Sequence, residues 1–572
     1  MRQTMVSTAK ASRPADGWIV MALAAASAAA LTNILLTLTA ITTAYVPIPF
    51  WDGWEEVSTE RLWYSLFAPH GPHRLVVYRL VALLDQAVTQ GRYLINFATS
   101  LALQALQAGL LIVLAVSAAK LNGREGALAA ALTIGFLFWG VQHENFIWAF
   151  QTQFFAVTTF GTLSFFLLAT MPGPWGAAAA VVASTLAVGS MAGGVVVPPL
   201  LIGLSAALRR PVAQTVAIAL TAAILLGLYF GVGYETPDRG SPDRLWTDPF
   251  GLAFFFAAYL GGPFAWLGAS MFGVTPSAAA ASAGLLALIA VAGVGLQLLV
   301  RPQHATAPRL ALLCTALYGL GTGLMISVGR IHLGIDQALV HRYTTPALVF
   351  WLALLFLAWS LGGRAGRRIL PLGATLLLLL TLPDARSTDA AARSRRDIAD
   401  TVATAALTRV NDTAAASRVY PGAERVTTQT QVMRENRTGI FAWPAAQWLG
   451  TPLSAHVAVD GAERCRGAFD VATPLPADSG EGAFRVQGWA WQADGAGPPR
   501  MLLLTDGAGT VIGYALTDVA RPDVPAAIPE LRAALFSGWR GHVRIGAPGP
   551  VTAFALSPDD ARACPVGTRM IP

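Results

Sequence analysis

Over the first two-thirds of the chain, apolar positions run in long blocks separated by short polar turns. Such blocks occupy 18–44, 94–119, 126–141, 153–171, 176–190, 194–208, 212–232, 277–300, 310–328, 345–361 and 369–382. A helix crossing a bilayer core takes about 20 apolar residues, so the pattern predicts about eleven spans. The apolar stretch 176–208 is interrupted by "GSMAGG" and "PP", which predicts two short spans or one broken helix. After Pro383 the pattern changes. Residues 386–419 are polar, Ala-rich and amphipathic, and read as a helix. From about Val426, short alternating runs such as "AFRVQGWAWQA", "TVIGYALTD" and "GHVRIGA" are separated by Gly, Pro and Asp. These predict a β-sandwich of about 140 residues. The expected fold is a polytopic α-helical membrane protein at 1–383, a helical linker at 384–425 and a β-sandwich at 426–572.

Composition sharpens this. The 572 residues are 54% hydrophobic and 12% charged, with mean hydropathy +0.54. A soluble protein of this length carries about twice that charge. The net charge of +7 does not imply nucleic acid, because the basic residues are scattered through short loops and form no stripe. They read instead as topology determinants. Arg2, Lys10 and Arg13 precede the first block; Lys120 and Arg124, Arg209 and Arg210, Arg301 and Arg309, and Arg364, Arg367 and Arg368 fill short turns. Placing all of them in the cytoplasm puts the N-terminus inside and the C-terminus outside. It also requires 248–270, "DPFGLAFFFAAYLGGPFAWLGAS", to be an interfacial or re-entrant helix that does not cross. The first block is too long for a cleaved signal peptide and reads as an anchor. Cys314 lies in an apolar block and reads as a core thiol. Cys465 and Cys564 lie in the polar C-terminal part, where an extracytoplasmic location makes them a plausible disulfide.

With this topology the outward loops hold seven of the eight histidines, His304 excepted, so the working surface is expected to face out. In "YVPIPFWDGWEE", Asp52 directly follows Phe50 and Trp51 at the end of the first span. Partial desolvation there raises a carboxylate's pKa and makes it a better general base. Glu55 and Glu56 read more simply as solvated loop acids. "APHGPHRLVVYRLVALLDQ" places His73, Arg74, Arg79 and Asp85 on an amphipathic helix, either lying at the interface or contacting a lipid phosphate. "WGVQHENFIWAFQTQ" crowds His143, Glu144, Asn145 and Gln151 at a short connection with Trp148, a set suited to sugar hydroxyls and a stacking face. "SVGRIHLGIDQALVHRYTTP" sets Arg330 and Arg342 across one loop, with Tyr343 beside the latter; paired guanidiniums suit phosphate. "GYETPDRGSPDRLWTDP", with Glu235, Asp238, Arg239, Asp243 and Arg244, is a hydrophilic loop or a cover that orders over substrate. "GLGTGL" at 319–324 resembles a nucleotide loop but lies inside a span, where small residues let helices approach. The histidines lack metal-ligand spacing, so no cofactor is expected and a catalytic metal is not favoured.

The order of these stretches resembles bacterial membrane glycosyltransferases of the GT-C class: an aspartate after the first span, a following His-Arg pair, an outward "HENFIWAFQTQF" and a late "SVGR…HRY". The resemblance covers about residues 15–385. Gly71 and Pro72 stand where the related pattern has Asn-Glu. It implies a sugar on polyprenyl phosphate as donor, a glycan or lipid acceptor, inversion at the sugar carbon, and a place in the bacterial inner membrane among its lipids. Asp52 is then the base, and Arg330, Arg342, Arg74, His73 and Tyr343 hold the donor phosphate. His143, Glu144, Asn145, Gln151, Trp148 and Glu55 hold sugar or acceptor. The C-terminal "VQGWAWQA…GTVIGYALTDVARPDV" is similar to β-rich outer domains appended to such enzymes. A transporter of a lipid-linked sugar, or an envelope assembly protein without catalysis, remains the alternative.

Overall fold

Residues 17–234, 244–492 and 497–572 are described by the computed structural model. The expected loop acids and arginine at Glu235, Asp238, Arg239 and Asp243 lie outside them. The chain forms two compact units. The first comprises Met1–Ile41, Phe67–Tyr78 and Phe97–Asp389 in their described parts, and the second Thr42–Leu66, Arg79–Asn96 and Ala390–Pro572.

The first unit is a bundle of apolar helices, and the protein is polytopic. Ten helical stretches among the described residues are long and apolar enough to cross a membrane. One of them departs from the expected set, and the run 176–208 is interrupted as expected. Pro249–Phe272, expected not to cross, qualifies by length and composition. The run 176–208 yields only shorter helices, Pro174–Val188 and Val197–Ala207, with a 3-10 turn at Ala192–Val196 between them. Glycine and proline interrupt the backbone there, and Pro198 and Pro199 lack the N–H a continuous helix needs.

Several helices expose apolar stripes, as lipid requires. On Val212–Gly231 the exposed positions are Val216, Leu220, Ile224 and Leu228, each one turn from the last. Small residues close the bundle: Gly261 and Gly284 sit against the backbone of Ala280 and Ala257, with no room for a Cβ. Gly319, Gly321 and Gly323 of "GLGTGL" face Phe350, Val196 and Tyr259, which is a packing role.

The second unit is built on a single sheet of eight strands rather than the two packed sheets expected. Its spatial order is Ala458–Val459, Arg562–Ile571, Gly549–Leu556, Met501–Thr505, Val511–Val519, Gly538–Arg544, Ala483–Gln492 and Cys465–Pro474. All neighbours are antiparallel except the first pair. The sheet curls until Gly467 and Gly567 on strands near its two edges meet Val566 and Phe469, and the Cys465–Cys564 disulfide joins the same two strands. Alternation in sequence marks a two-faced strand but not whether its sheet pairs with another or closes on itself.

Inside the curl lie Phe469, Val486, Leu502, Leu504, Trp539 and Val543. The other face, including Leu503, Tyr514 and Leu516, is covered by helical residues Ala399, Val402, Ala403, Ala406 and Leu407. That i, i+3, i+4, i+7, i+8 spacing is one face of the helix Ala385–Thr408. The expected linker is therefore part of the β unit's core. So is the stretch after the first span: Val46, Ile48, Trp54 and Val57 are buried in the same cluster.

Candidate functional site

In the first unit, four connections meet at one end of the helices. They are the hairpin at 67–75, the connection 139–152, the interruption at 189–196 and the loop 330–345. The connection 139–152 folds as 3-10 turns at Gly140–Gln142 and Ala149–Gln151 flanking a short helix, His143–Ile147. The late loop ends in a 3-10 turn, His341–Tyr343, leading into the helix Thr344–Leu361.

Polar groups bind these last two connections together. Arg342 Nη1 donates to Glu144 Oε1 at 2.9 Å, and the Arg342 backbone N–H donates to Glu144 Oε2 at 3.2 Å. Asn145 Nδ2 donates to Arg342 O at 2.9 Å and to Thr345 Oγ1 at 2.7 Å. Thr345 Oγ1 donates in turn to Gln142 Oε1 at 2.6 Å, and Gln142 Nε2 to Leu137 O at 2.7 Å. The rings of His143 and His341 lie 4.3 Å apart. His341 Nδ1 is 2.8 Å from Val141 O, and His143 Nδ1 is 3.1 Å from Gly140 O.

The hairpin pairs Pro69–His70 with His73–Arg74 through a turn at Gly71, whose φ of +54° favours glycine. His73 Nδ1 accepts the Ala192 N–H at 3.3 Å, which ties the hairpin to the broken run. Burial pushes the His73 pKa down to about 3, with His70 and the Arg330 charge acting in the same direction. His73 is thus a neutral acceptor at physiological pH. Phe150 links the two regions: its ring lies 5.6 Å from His70, 4.7 Å from Tyr78 and 5.7 Å from Trp148.

The arginines divide into committed and uncommitted. Arg74 is buried, and its guanidinium donates to Phe67 O at 2.9 Å, to Tyr229 O at 3.0 Å and to Val232 O. It caps the C-terminal carbonyls of the helix Val212–Gly231, a structural task that leaves little for a ligand. Arg342 is paired with Glu144, each side chain about a quarter exposed, at 28% and 25%. Its guanidinium also lies 5.5 Å from the Tyr343 ring centre, and Tyr343 is buried against Phe154 and Tyr259. Among the described residues, no carboxylate and no hydrogen bond holds the Arg330 side chain. Asn145, Trp148 and Gln151 are buried, with the Gln151 Oε1 among buried oxygens that have no partner in the described structure. Asn145 therefore positions the 341–345 turn, and Glu144, His143 and Arg342 form the accessible part of the cluster.

No family model, curated protein or solved structure matches this chain.

Asp52 and Glu55 belong to the second unit. Asp52 is half-buried in the 3-10 turn Trp51–Glu55, and Trp51 takes the unusual φ of +43°. Glu55 Oε1 accepts the Tyr420 hydroxyl at 2.8 Å. Glu56 and Arg79, expected in solvent and at headgroups, are instead a buried ion pair at 2.7 Å. Asp85 is also buried; its oxygens accept the backbone N–H of Tyr93 at 2.7 Å and of Ile95 at 2.8 Å. These orphan donors begin the helix Leu94–Ala119, so Asp85 is a cap. The helix Val76–Thr89 points Arg79 and Asp85 inward while Leu80, Leu84 and Val88 are exposed, an arrangement suited to lipid.

Residues missed from sequence include Gln104 and Gln107. Gln104 Nε2 donates to Leu137 O at 2.5 Å and Gln107 Nε2 to Thr162 Oγ1 at 3.2 Å. Their signal was legible: amides inside the apolar block "LALQALQAGL" need partners. Among the described residues, no three His, Cys, Asp or Glu side chains form a metal-binding group.

Proposed function

We propose that the protein transfers a sugar from a polyprenyl-phosphate donor to an envelope glycan or lipid acceptor, at the periplasmic face of a bacterial inner membrane. The observation that carries the reading is the charge pattern at one end of the helical bundle. Arg330 has no ionic partner among the described residues, and its charge acts on the neutral imidazole of His73. Arg342 is oriented by Glu144 and by its place in the turn.

In the proposed step an acceptor hydroxyl attacks the sugar carbon. The bond to the phosphate oxygen breaks, the phosphate leaves with the electron pair, and the hydroxyl proton passes to a carboxylate. A guanidinium that stabilises charge growing on the departing phosphate raises the rate more than one bound equally to substrate and transition state. Arg330 takes that task. Arg342 joins it when the donor's phosphate replaces part of the Glu144 contact, and His143 with Glu144 faces the sugar. The family resemblance alone names Asp52 as that carboxylate.

A second reading, movement of a lipid-linked sugar, is favoured by one feature: the broken run at 189–196 beside His73. The purified protein with radiolabelled polyprenyl-phosphate sugar separates the two. Transfer that is lost in Asp52→Asn and weakened for donor in Arg330→Ala supports the enzyme. Full transfer in Asp52→Asn removes that base, and movement of label across a bilayer without transfer removes the enzyme.

A further inference from the structure

The second unit holds a cavity of about 290 Å³ whose lining includes Thr42, Tyr45, Arg396, Asp400, Trp443 and Arg500. This size lies at the low end of small-molecule sites, which run from ~300 to 1,000 Å³. It suits one compact ligand better than a chain.

Two of its arginines differ in kind. Arg396 belongs to the frame: Nε donates to Asp400 Oδ2 at 2.7 Å, Nη1 to Tyr45 O at 3.2 Å and Nη2 to Thr517 O at 3.4 Å. Arg500 is exposed, and its guanidinium lies 3.9 Å from the Trp443 ring centre. No hydrogen bond or ion pair engages it among the described residues. A guanidinium held flat on an indole loses little freedom when its N–H edge takes up an anion. Around Arg500 two cations and two acids balance, which leaves its own positive charge uncompensated. Arg92 and Arg396 face Arg500 with the acids Asp400 and Asp560, and burial with those cations lowers the Arg500 pKa.

The cavity also has an acceptor in need of a donor. Asp400 Oδ1 is buried without a hydrogen-bond partner among the described residues, although its companion oxygen is held by Arg396. A small anion is too short to answer both needs as a sugar can, which sets a hydroxyl several bonds away from its charged group. A ligand carrying an anionic group and hydroxyls answers both. We infer that this cavity binds a single anionic sugar unit, with its phosphate or carboxylate on Arg500 and a hydroxyl donating to Asp400. The inference is read from the second unit alone and does not depend on sugar transfer by the first.

The test measures binding to the full-length protein in phosphatidylcholine nanodiscs by calorimetry, with glucose 1-phosphate, inorganic phosphate and glucose as probes. Glucose 1-phosphate is expected to bind, and each of the other two about tenfold or more weakly. Arg500→Gln, which keeps a polar side chain beside Trp443 and removes the charge, is expected to lose about tenfold or more of the glucose 1-phosphate affinity, as for one charge-assisted hydrogen-bonding group. Trp443→Phe is expected to weaken it less. Equal binding of inorganic phosphate would reduce the site to a general anion hole and overturn the inference. Equal binding of glucose, no binding of glucose 1-phosphate, or an unchanged Arg500→Gln variant would overturn it as well. A last arm replaces part of the phosphatidylcholine with phosphatidylglycerol. Loss of glucose 1-phosphate binding only in Arg500→Gln, at either lipid composition, supports the sugar. Arg500-dependent capture of phosphatidylglycerol without glucose 1-phosphate binding would assign the cavity to a lipid headgroup instead.

Discussion

Glu56→Ala should be among the most damaging single substitutions in the second unit. The Glu56 carboxylate accepts from Arg79 Nε at 3.2 and 3.3 Å and from Nη2 at 2.7 Å, and the side chains are 1% and 2% exposed. Arg79 Nη1 goes to Ser65 O, so removing the carboxylate leaves the guanidinium's charge in the interior without the acid that balances it. Breaking one side of a buried pair costs ~3–5 kcal/mol, most of it the stranded charge. Domains are stable by only ~5–15 kcal/mol. For a unit of this size each kcal/mol moves the midpoint by about 2–4 °C, so a fall of roughly 6–20 °C is expected. The assay is tryptophan-fluorescence melting of the purified protein, in which Trp54, fully buried two residues from Glu56, reports locally. Two comparisons isolate the cause. Glu55→Ala, which loses the hydroxyl contact from Tyr420 and buries no charge, should cost about 1 kcal/mol. The double change Glu56→Leu with Arg79→Met should recover most of the loss, because it removes both charges. If Glu56→Ala melts with the parent protein, or if the double variant melts no higher than the single one, the stranded-charge argument is wrong.

Three further outcomes are expected. Against burial, hydrogen bonds from His542, Arg485 and the Ala415 N–H hold the Asp412 carboxyl well below its ordinary 3.8, while burial pulls His542 below its ordinary 6.5. Both contributions are present at neutral pH and are lost on acidification, the His542 part as pH falls below about 6.5 and the Asp412 part below about 3.8. Asp412→Asn should therefore melt lower at pH 7 and show a flatter acid limb, and parallel limbs would refute the assignment. Reducing the Cys465–Cys564 bridge, whose cysteines are 99 residues apart, should destabilise the second unit by up to ~4 kcal/mol, read as an earlier melt in reductant that Cys465→Ser reproduces without it. Asn145→Ala removes two donated hydrogen bonds and should cost ~2 kcal/mol, seen as faster amide exchange at 342–345, and unchanged exchange there would show that the turn holds itself.

Much of the coarse architecture was legible in the chain. Apolar blocks near 20 residues gave the membrane class, and the change of period after Pro383 gave the β-rich part. The grouping of polar residues was less legible. Glu144 and Arg342 are 198 positions apart, and nothing local indicates that one carboxylate claims that guanidinium. Glu56 read as a solvated loop acid and Asp85 as a charge on an interfacial amphipathic helix, yet their neighbours in space are Arg79 and a helix N-terminus. Arg74 read as a ligand group because the carbonyls it caps arrive from a helix more than 150 residues later.

Hydrophobic periodicity by itself determined where helices and strands form, because a bilayer or a half-buried sheet selects residues one position at a time. Only the tertiary structure decided whether eight strands make one curled sheet or two, and which arginines are already engaged. Those outcomes depend on partners brought together across long stretches of chain, and a buried charge is satisfied by what lies near it in space, whatever lies beside it in sequence.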